Sequence, residues 1–343
     1  NGSEHLHQRD LTNMKYTIHK QRGLTLVELM IAMVLGLLVA GGIAQVFAQG
    51  RQSYRVDQQI ARMQDEARFA LNEISRDLRM ASYIGETLLP GNVNQAAGLA
   101  IGADCGPGGQ PNWVLGLSDG VTSEINTMTA VDNATGATAN ASYSCIEPGE
   151  LRPNTDVVAV KRVMGDETPL ADLRPGATYI RTNGTLSVMH TTPMAAGIPL
   201  PFFDREYVPR IYYIRNFSDT PGDGIPALCR KALQAGAPPN MGTECIARGI
   251  EDLQLTFGLD TDGDGTPNRY LVDPTLAELQ EVVTVRVFLL ARTQQPDRRH
   301  TDARSYQVSN APNYAPADNF HRRLYSITVG VYNRRNLQRL LGI

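Results

Sequence analysis

The chain of 343 residues holds one tryptophan, eight phenylalanines and four cysteines, and aromatic residues make up only 6% of it. No Cys-x-x-Cys occurs, so the ligand spacing of a structural zinc site is missing. Neither sign of charge dominates. The formal net charge is −3 at pH 7, and basic residues are spread out rather than gathered with aromatics, which argues against a nucleic-acid partner. The 31 glycines and 20 prolines follow no period, and no repeat of solenoid length is found, so collagen-like and array architectures drop out. P-loop, HExxH and GxGxxG patterns do not rise above noise. Gly116-Leu117-Ser118-Asp119-Gly120 has the letters of a nucleophile elbow, but Pro- and Gly-rich sequence precedes it and a Thr/Ser-rich strand candidate follows. The elbow needs a strand before it and a helix after it. His190, His300 and His321 have no distinguishing context. The expectation is a protein that is not an enzyme and requires no cofactor.

What is present begins at Arg22-Gly23-Leu24-Thr25-Leu26-Val27-Glu28, followed by an apolar run to about Ala48. That length suffices for a bilayer span. A charged side chain inside such a span costs at least ~2.5 kcal/mol and usually has a partner and a purpose. Two other readings compete. One is a secretory signal peptide with Lys15, Lys20 and Arg22 as its basic region and Val46-Phe47-Ala48 as its cleavage site. Against it stand the glutamate within the run and the length of the run. The other is a plain signal anchor with an incidental acid. The basic leader keeps the N-terminus cytoplasmic and puts the bulk of the chain outside. Residues 1–13 precede Met14, carry no apolar pattern and are set apart from the fold.

An amphipathic stretch continues from Gln52 to Ala81. Val56, Ile60, Met63, Ala67, Leu71, Ile74, Leu78 and Ala81 recur at steps of three and four, one face of a helix. Asp57, Arg62, Asp65, Glu66, Arg68, Glu73, Arg76 and Asp77 fill the other side. A single helix from Leu24 to Ser82, ~90 Å long at 1.5 Å per residue, is expected, with Gly85 as its terminating glycine. Gly36, Gly41 and Gly42 are weak points, each costing up to ~1 kcal/mol relative to Ala.

Strands are expected at Glu124–Ala130, Asp156–Met164, Thr178–Arg181, Ile211–Arg215, Ile250–Leu259, Val282–Ala291 and Tyr325–Tyr332, of which the β-branched Val282–Ala291 run is the strongest. Thr293 to His321, about thirty polar residues, is too long for a hairpin loop and reads as functional or poorly ordered. One helix followed by many strands argues an α+β fold with the helix packed on an antiparallel sheet.

Three groups of side chains stand out in the head. Cys105, Cys145, Cys229 and Cys245 allow three pairings. The local one, 105 with 145 and 229 with 245, is favoured because each pair brackets one Gly/Pro-rich stretch. Export makes the oxidised state the expected one. Asp260-Thr261-Asp262-Gly263-Asp264-Gly265 resembles the start of a calcium loop, with Thr266 and Asn268 as further oxygen donors. Leu271 stands at the twelfth position, where an EF-hand needs Glu; Asp273 is a weak late candidate. The rival reading is a flexible acidic hairpin turn. Trp113, Tyr179, Tyr207, Tyr212 and Tyr213 read as core or sheet pairs rather than a binding surface.

A short basic leader, Gly23, an apolar residue and Glu28 five residues past the glycine resemble the class III signal of type IV prepilins. The resemblance implies that prepilin peptidase cuts after Gly23 and methylates the new N-terminus at Leu24, where the family's usual residue is Phe. It gives Glu28 the role of pairing with the N-terminal amine of a neighbouring subunit. Ala67-Arg68-Phe69-Ala70-Leu71, Ser75-Arg76-Asp77-Leu78-Arg79-Met80-Ala81, Arg322-Arg323-Leu324-Tyr325-Ser326-Ile327-Thr328-Val329 and Arg334-Arg335-Asn336 resemble PilW-type minor pilins. The implied organisation is a leader at 14–23, a transmembrane and filament-core helix at 24–48, an amphipathic helix at 49–84 and a β-rich head at 85–343. The implied location is the inner membrane with a periplasmic head, then the extracellular pilus. The implied partners are other minor pilins, the major pilin, the inner-membrane assembly platform and a large tip adhesin. The implied function is priming of pilus assembly within a tip complex. A J-type pseudopilin of type II secretion, and a tip adhesin or ligand-binding module, are the alternatives.

Overall fold

The computed structural model describes residues 23–87, 90–106, 113–117, 126–192 and 197–333. The chain divides into two units, residues 1–55 and 56–343. One helix, α1, runs Leu26–Arg79. In the first unit the side chains from Gly23 to Arg51 are all exposed. By length and composition this part of α1 is sufficient to cross a membrane. Gly36, Gly41 and Gly42 do not interrupt it.

In the second unit α1 buries Met63, Ala67, Ala70, Leu71, Ile74 and Leu78, the stripe that the three- and four-residue spacing predicts. Asp77 departs from expectation. It lies among the buried residues, not on the charged face, because it sits three residues past Ile74 on the inward side and the head supplies guanidinium groups there. The helix stops at Arg79, before the expected Ser82. Ser82 itself takes φ of +66° and Gly85 +65°, the left-handed conformation that ends helices.

The head follows as β1 (Val93–Gln95), β2 (Met128–Ala134), α2 (Gly136–Ser142), β3 (Thr155–Val163), β4 (Thr178–Thr182), β5 (Ser187–Thr191), β6 (Phe203–Arg215), β7 (Ala227–Gln234), β8 (Asn240–Arg248), β9 (Ile250–Leu259), β10 (Arg269–Leu271), α3 (Leu276–Gln280), β11 (Val282–Arg292) and β12 (Arg322–Gly330). The fold is α+β. Every expected strand falls on an observed one, with residues 124–125 of the first lying outside the described residues. The single expected sheet is in fact two. The larger runs β1-β5-β4-β6-β3-β2, with β7 on β6 and β8 on β7; the smaller runs β10-β9-β11-β12. Pairing is antiparallel except between β1 and β5.

Strand alternation builds two cores. Val158 and Val160 of β3, with Tyr212 and Ile214 of β6, face the α1 stripe and the inward side of the small sheet, Leu253, Leu255, Phe257, Val285, Val287 and Leu289. Val157 and Ala159, with Ile211 and Tyr213, face the opposite way toward Trp113, Tyr143 and Cys105. Segment 293–321 is an ordered strap. Its Tyr306 and Val308 pack on Leu290 of β11.

Candidate functional site

Thr25 precedes the first residue of α1 and ties down its open end. Its backbone N–H and its hydroxyl both donate to Glu28 Oε2 at 2.9 Å, and Glu28 N–H donates back to Thr25 Oγ1 at 3.2 Å. This is a capping box, satisfying backbone donors that the first turn leaves unpaired. Glu28 carries the charge, and Thr25 aims it toward the chain start. The role of Thr25 was readable as Thr-x-x-Glu before an apolar run, a signal that the expectation overlooked. Hydrogen bonds from Thr25 do not neutralise the carboxylate; in hydrocarbon it still requires a cation. Gly23 and Leu24 lie outside the helix and are exposed, so the bond between them is in accessible, non-helical backbone. The leader upstream of Gly23 lies outside the described residues, as do Ser118 and Arg334-Arg335-Asn336.

The acidic loop leaves the end of β9 and returns at β10. Asp260 Oδ1 accepts from Gly263 N–H at 2.7 Å and Oδ2 from Gly265 N–H at 2.6 Å. Both glycines have positive φ, +78° and +87°, which only glycine adopts without strain. Carboxylate oxygens of Asp260, Asp262 and Asp264 lie within 4.8 Å of one another. That separation is about twice a calcium–oxygen bond of 2.3–2.6 Å, so three acids fit around one hard cation. Thr266 donates its hydroxyl to Asp264, and Asn268 Oδ1 accepts from the Thr261 backbone at 3.2 Å and its hydroxyl at 3.0 Å, so both of these side chains are engaged within the loop. Leu271 is a β10 strand residue opposite Phe257. The same bonds complete a tight acidic turn, so the fit to a cation and the plain turn coexist.

Cys105 bonds to Cys145 and Cys229 to Cys245, the local pairing. Cys229 and Cys245 are direct cross-strand neighbours in β7 and β8. Tyr179, Tyr207, Tyr212 and Tyr213 are buried, and Trp113 packs edge-on to Tyr143 at 5.8 Å, so these aromatics are core. Lys161 is buried as well. Its ammonium donates to Gly116 O at 2.6 Å and lies 4.5 Å from the centre of the Trp113 ring; burial pulls its pKa down to about 7. His190 meets Asp204 Oδ1 at 3.0 Å, and the His300 and His321 rings stack at 3.9 Å.

Two polar knots hold the head. Asp77 accepts from Arg162, Arg210 and Tyr212, joining α1 to β3 and β6. Arg322, at the start of β12, donates to Glu251 at 2.5 and 3.1 Å and to Asp318 at 2.5 and 2.7 Å, with Asp302 at 3.4 Å. Arg322 thus latches the strap at two of its residues onto β9.

The family model described as type IV pilus-assembly protein W matches residues 211–333, and the prokaryotic N-terminal methylation motif matches residues 18–44. The first match spans β7 to β12 and the whole Arg322 latch; the second spans Gly23, Thr25 and Glu28. No curated protein and no solved structure matches the chain. The prepilin and PilW-type resemblance is borne out at both ends of the chain. The two matches support a type IV pilus-related minor pilin, anchored in a membrane through its N-terminal apolar helix.

Proposed function

We propose that this chain is a minor pilin that primes type IV pilus assembly and forms part of the complex at the pilus tip. Prepilin peptidase cuts after Gly23 and methylates Leu24. Before assembly the segment from Leu24 to Ala48 sits in the inner membrane and the head lies in the periplasm; after assembly both belong to the extracellular filament. Other minor pilins, the major pilin, the assembly platform and a large adhesin at the tip are the partners. The role is structural, with no catalytic step assigned. The observation that carries this reading is Glu28, a carboxylate fixed by Thr25 at the start of a helix whose apolar side chains are all exposed from Leu26 to Phe47. In the filament the amine of the adjoining Leu24 supplies the cation that the carboxylate needs.

Glu28→Ala is expected to block incorporation while the head stays folded. Normal pilus assembly by that variant sinks the role. Mass spectrometry of the processed N-terminus separates the competing signals: methylated Leu24 supports the pilin reading, and a mature chain starting at Gln49 supports soluble export. The same proposal puts a structural calcium ion in the Asp260–Asp264 loop. Titration of the detergent-solubilised chain with calcium after chelator treatment should show one site in the 10⁻⁴–10⁻³ M range typical of extracellular modules. Absence of binding there, or binding unchanged in Asp262→Asn, leaves the loop a plain turn.

A further inference from the structure

A cleft of about 230 Å³ opens where the loop entering β3, the start of β9 and the strap meet. Its volume is below the ~300–1,000 Å³ of drug-sized sites, so it admits a single ring rather than a chain of them. Neither the pilus reading nor the cation loop makes use of it.

The groups lining the cleft are incompletely used. Arg152 is 29% exposed, reaches Glu251 at only 3.7 Å and lies 5.9 Å from the centre of the Tyr314 ring. Glu251 is already engaged by Arg322 at 2.5 Å and lies 3.4 Å from Arg292, so it does not saturate the Arg152 fork. Among the described residues Arg152 makes no side-chain hydrogen bond. Asp252 accepts from the Gln254 side-chain amide at 3.0 Å, which leaves most of a carboxylate's roughly four acceptor sites. Asn313 accepts from Ser305 through its oxygen, leaving its amide N–H groups to donate. Leu290 and Pro312 provide apolar wall beside the Tyr314 ring.

The balance of charge selects the occupant. An anion that reaches Arg152 meets Asp252 and Glu251. A cation that reaches Asp252 meets Arg152. A neutral polyol suits both, because adjacent hydroxyls donate to a carboxylate and accept from a guanidinium or amide. Its C–H face packs against an aromatic ring with a polar tip. We propose that the cleft bounded by Arg152, Asp252, Asn313 and Tyr314 is a binding site for one neutral hexopyranose unit.

The test uses the full chain in a zwitterionic detergent without a sugar headgroup. Saturation-transfer NMR is recorded with millimolar glucose, galactose, mannose and N-acetylglucosamine. Transfer to the ring protons of at least one of them is expected. Arg152→Met and Asn313→Ala should each weaken it about 10-fold, the effect of one lost hydrogen bond to a charged or polar partner, with unchanged circular dichroism. Asn313 is exposed, so its truncation tests recognition without risk to the fold. Glucuronate and glucosamine, the same ring with a charge, should bind at least about 10-fold more weakly. Absence of transfer from all four neutral sugars overturns the proposal. So does transfer that persists in both variants, or glucuronate binding as well as glucose.

Discussion

Asp77 and Arg162 stand 85 residues apart in sequence and form an ion pair at 2.7 Å with side chains only 1% and 3% exposed. Arg210 reaches the other carboxylate oxygen at 2.8 Å, so one acid on the helix is the shared counter-ion of two cations on the large sheet. Removing the acid leaves both guanidinium groups buried without it. Asp77→Ala should destabilise the head by about 3–5 kcal/mol, the range for a broken buried pair. Urea unfolding of the solubilised chain checks this; a loss within ~1 kcal/mol would show that the helix is held by its apolar stripe alone.

Lys161 gives the head a pH dependence of known sign. Its folded pKa of about 7 lies below the ordinary 10.5, so between these values the unfolded chain binds more protons. The contribution of Lys161 to stability therefore rises with pH from about 7 to about 10.5 and is lowest below that window. Lys161→Met should flatten this rise when thermal midpoints are compared at neutral and alkaline pH. An unchanged slope in the variant would place the pH dependence elsewhere.

Thr25 separates orientation from charge at the start of α1. Thr25→Ser keeps the two hydrogen bonds made by the hydroxyl and should assemble normally. Thr25→Val removes the cap, at about 1 kcal/mol of helix-end stability, and should lower incorporation several-fold without abolishing it. Immunoblots of sheared pili against whole cells read the difference. Equal incorporation of both variants would confine the capping box to a local structural role.

The Cys229–Cys245 bond closes a loop of 16 residues across a hairpin. Replacing both cysteines with serine should cost about 3 kcal/mol by the chain-entropy account. Denaturant midpoints, with and without reductant, measure it. Reductant should then have a smaller effect on the variant than on the parent chain.

Several of these features were open to reading in the sequence, and others were not, for physical reasons. The α1 stripe and the β-branched run of β11 announce themselves because their periodicity matches the burial that results. β7 and β8 do not. Ala-Leu-Cys-Arg-Lys-Ala-Leu-Gln has no strand period and contains good helix formers, and it is cross-strand pairing with a partner tied on by a disulfide that makes it a strand. The charge of Asp77 points outward in the sequence, since the guanidinium groups that bury it come from strands more than eighty residues away. The strap looked polar and formless because its order rests on a few apolar anchors and on carboxylates pointed at Arg322. In the candidate sites Glu28 was conspicuous by its surroundings. The Asp260 loop was legible as a motif, while the local engagement of Asn268 by Thr261 was not. The cleft at Arg152 assembles four separate segments and has no local signature.

Long surface connections usually tolerate trimming, but the strap between β11 and β12 does not belong to that class. Asp302 and Asp318 are counter-ions to Arg322, so shortening this connection to hairpin length would leave Glu251 alone to face both Arg322 and Arg292 and would uncover the outer side of Leu290 in one step. Reporter tags and epitope insertions are therefore better placed in the turn joining β4 to β5, at the exposed Gly184 and Thr185, where no such counter-ion is lost.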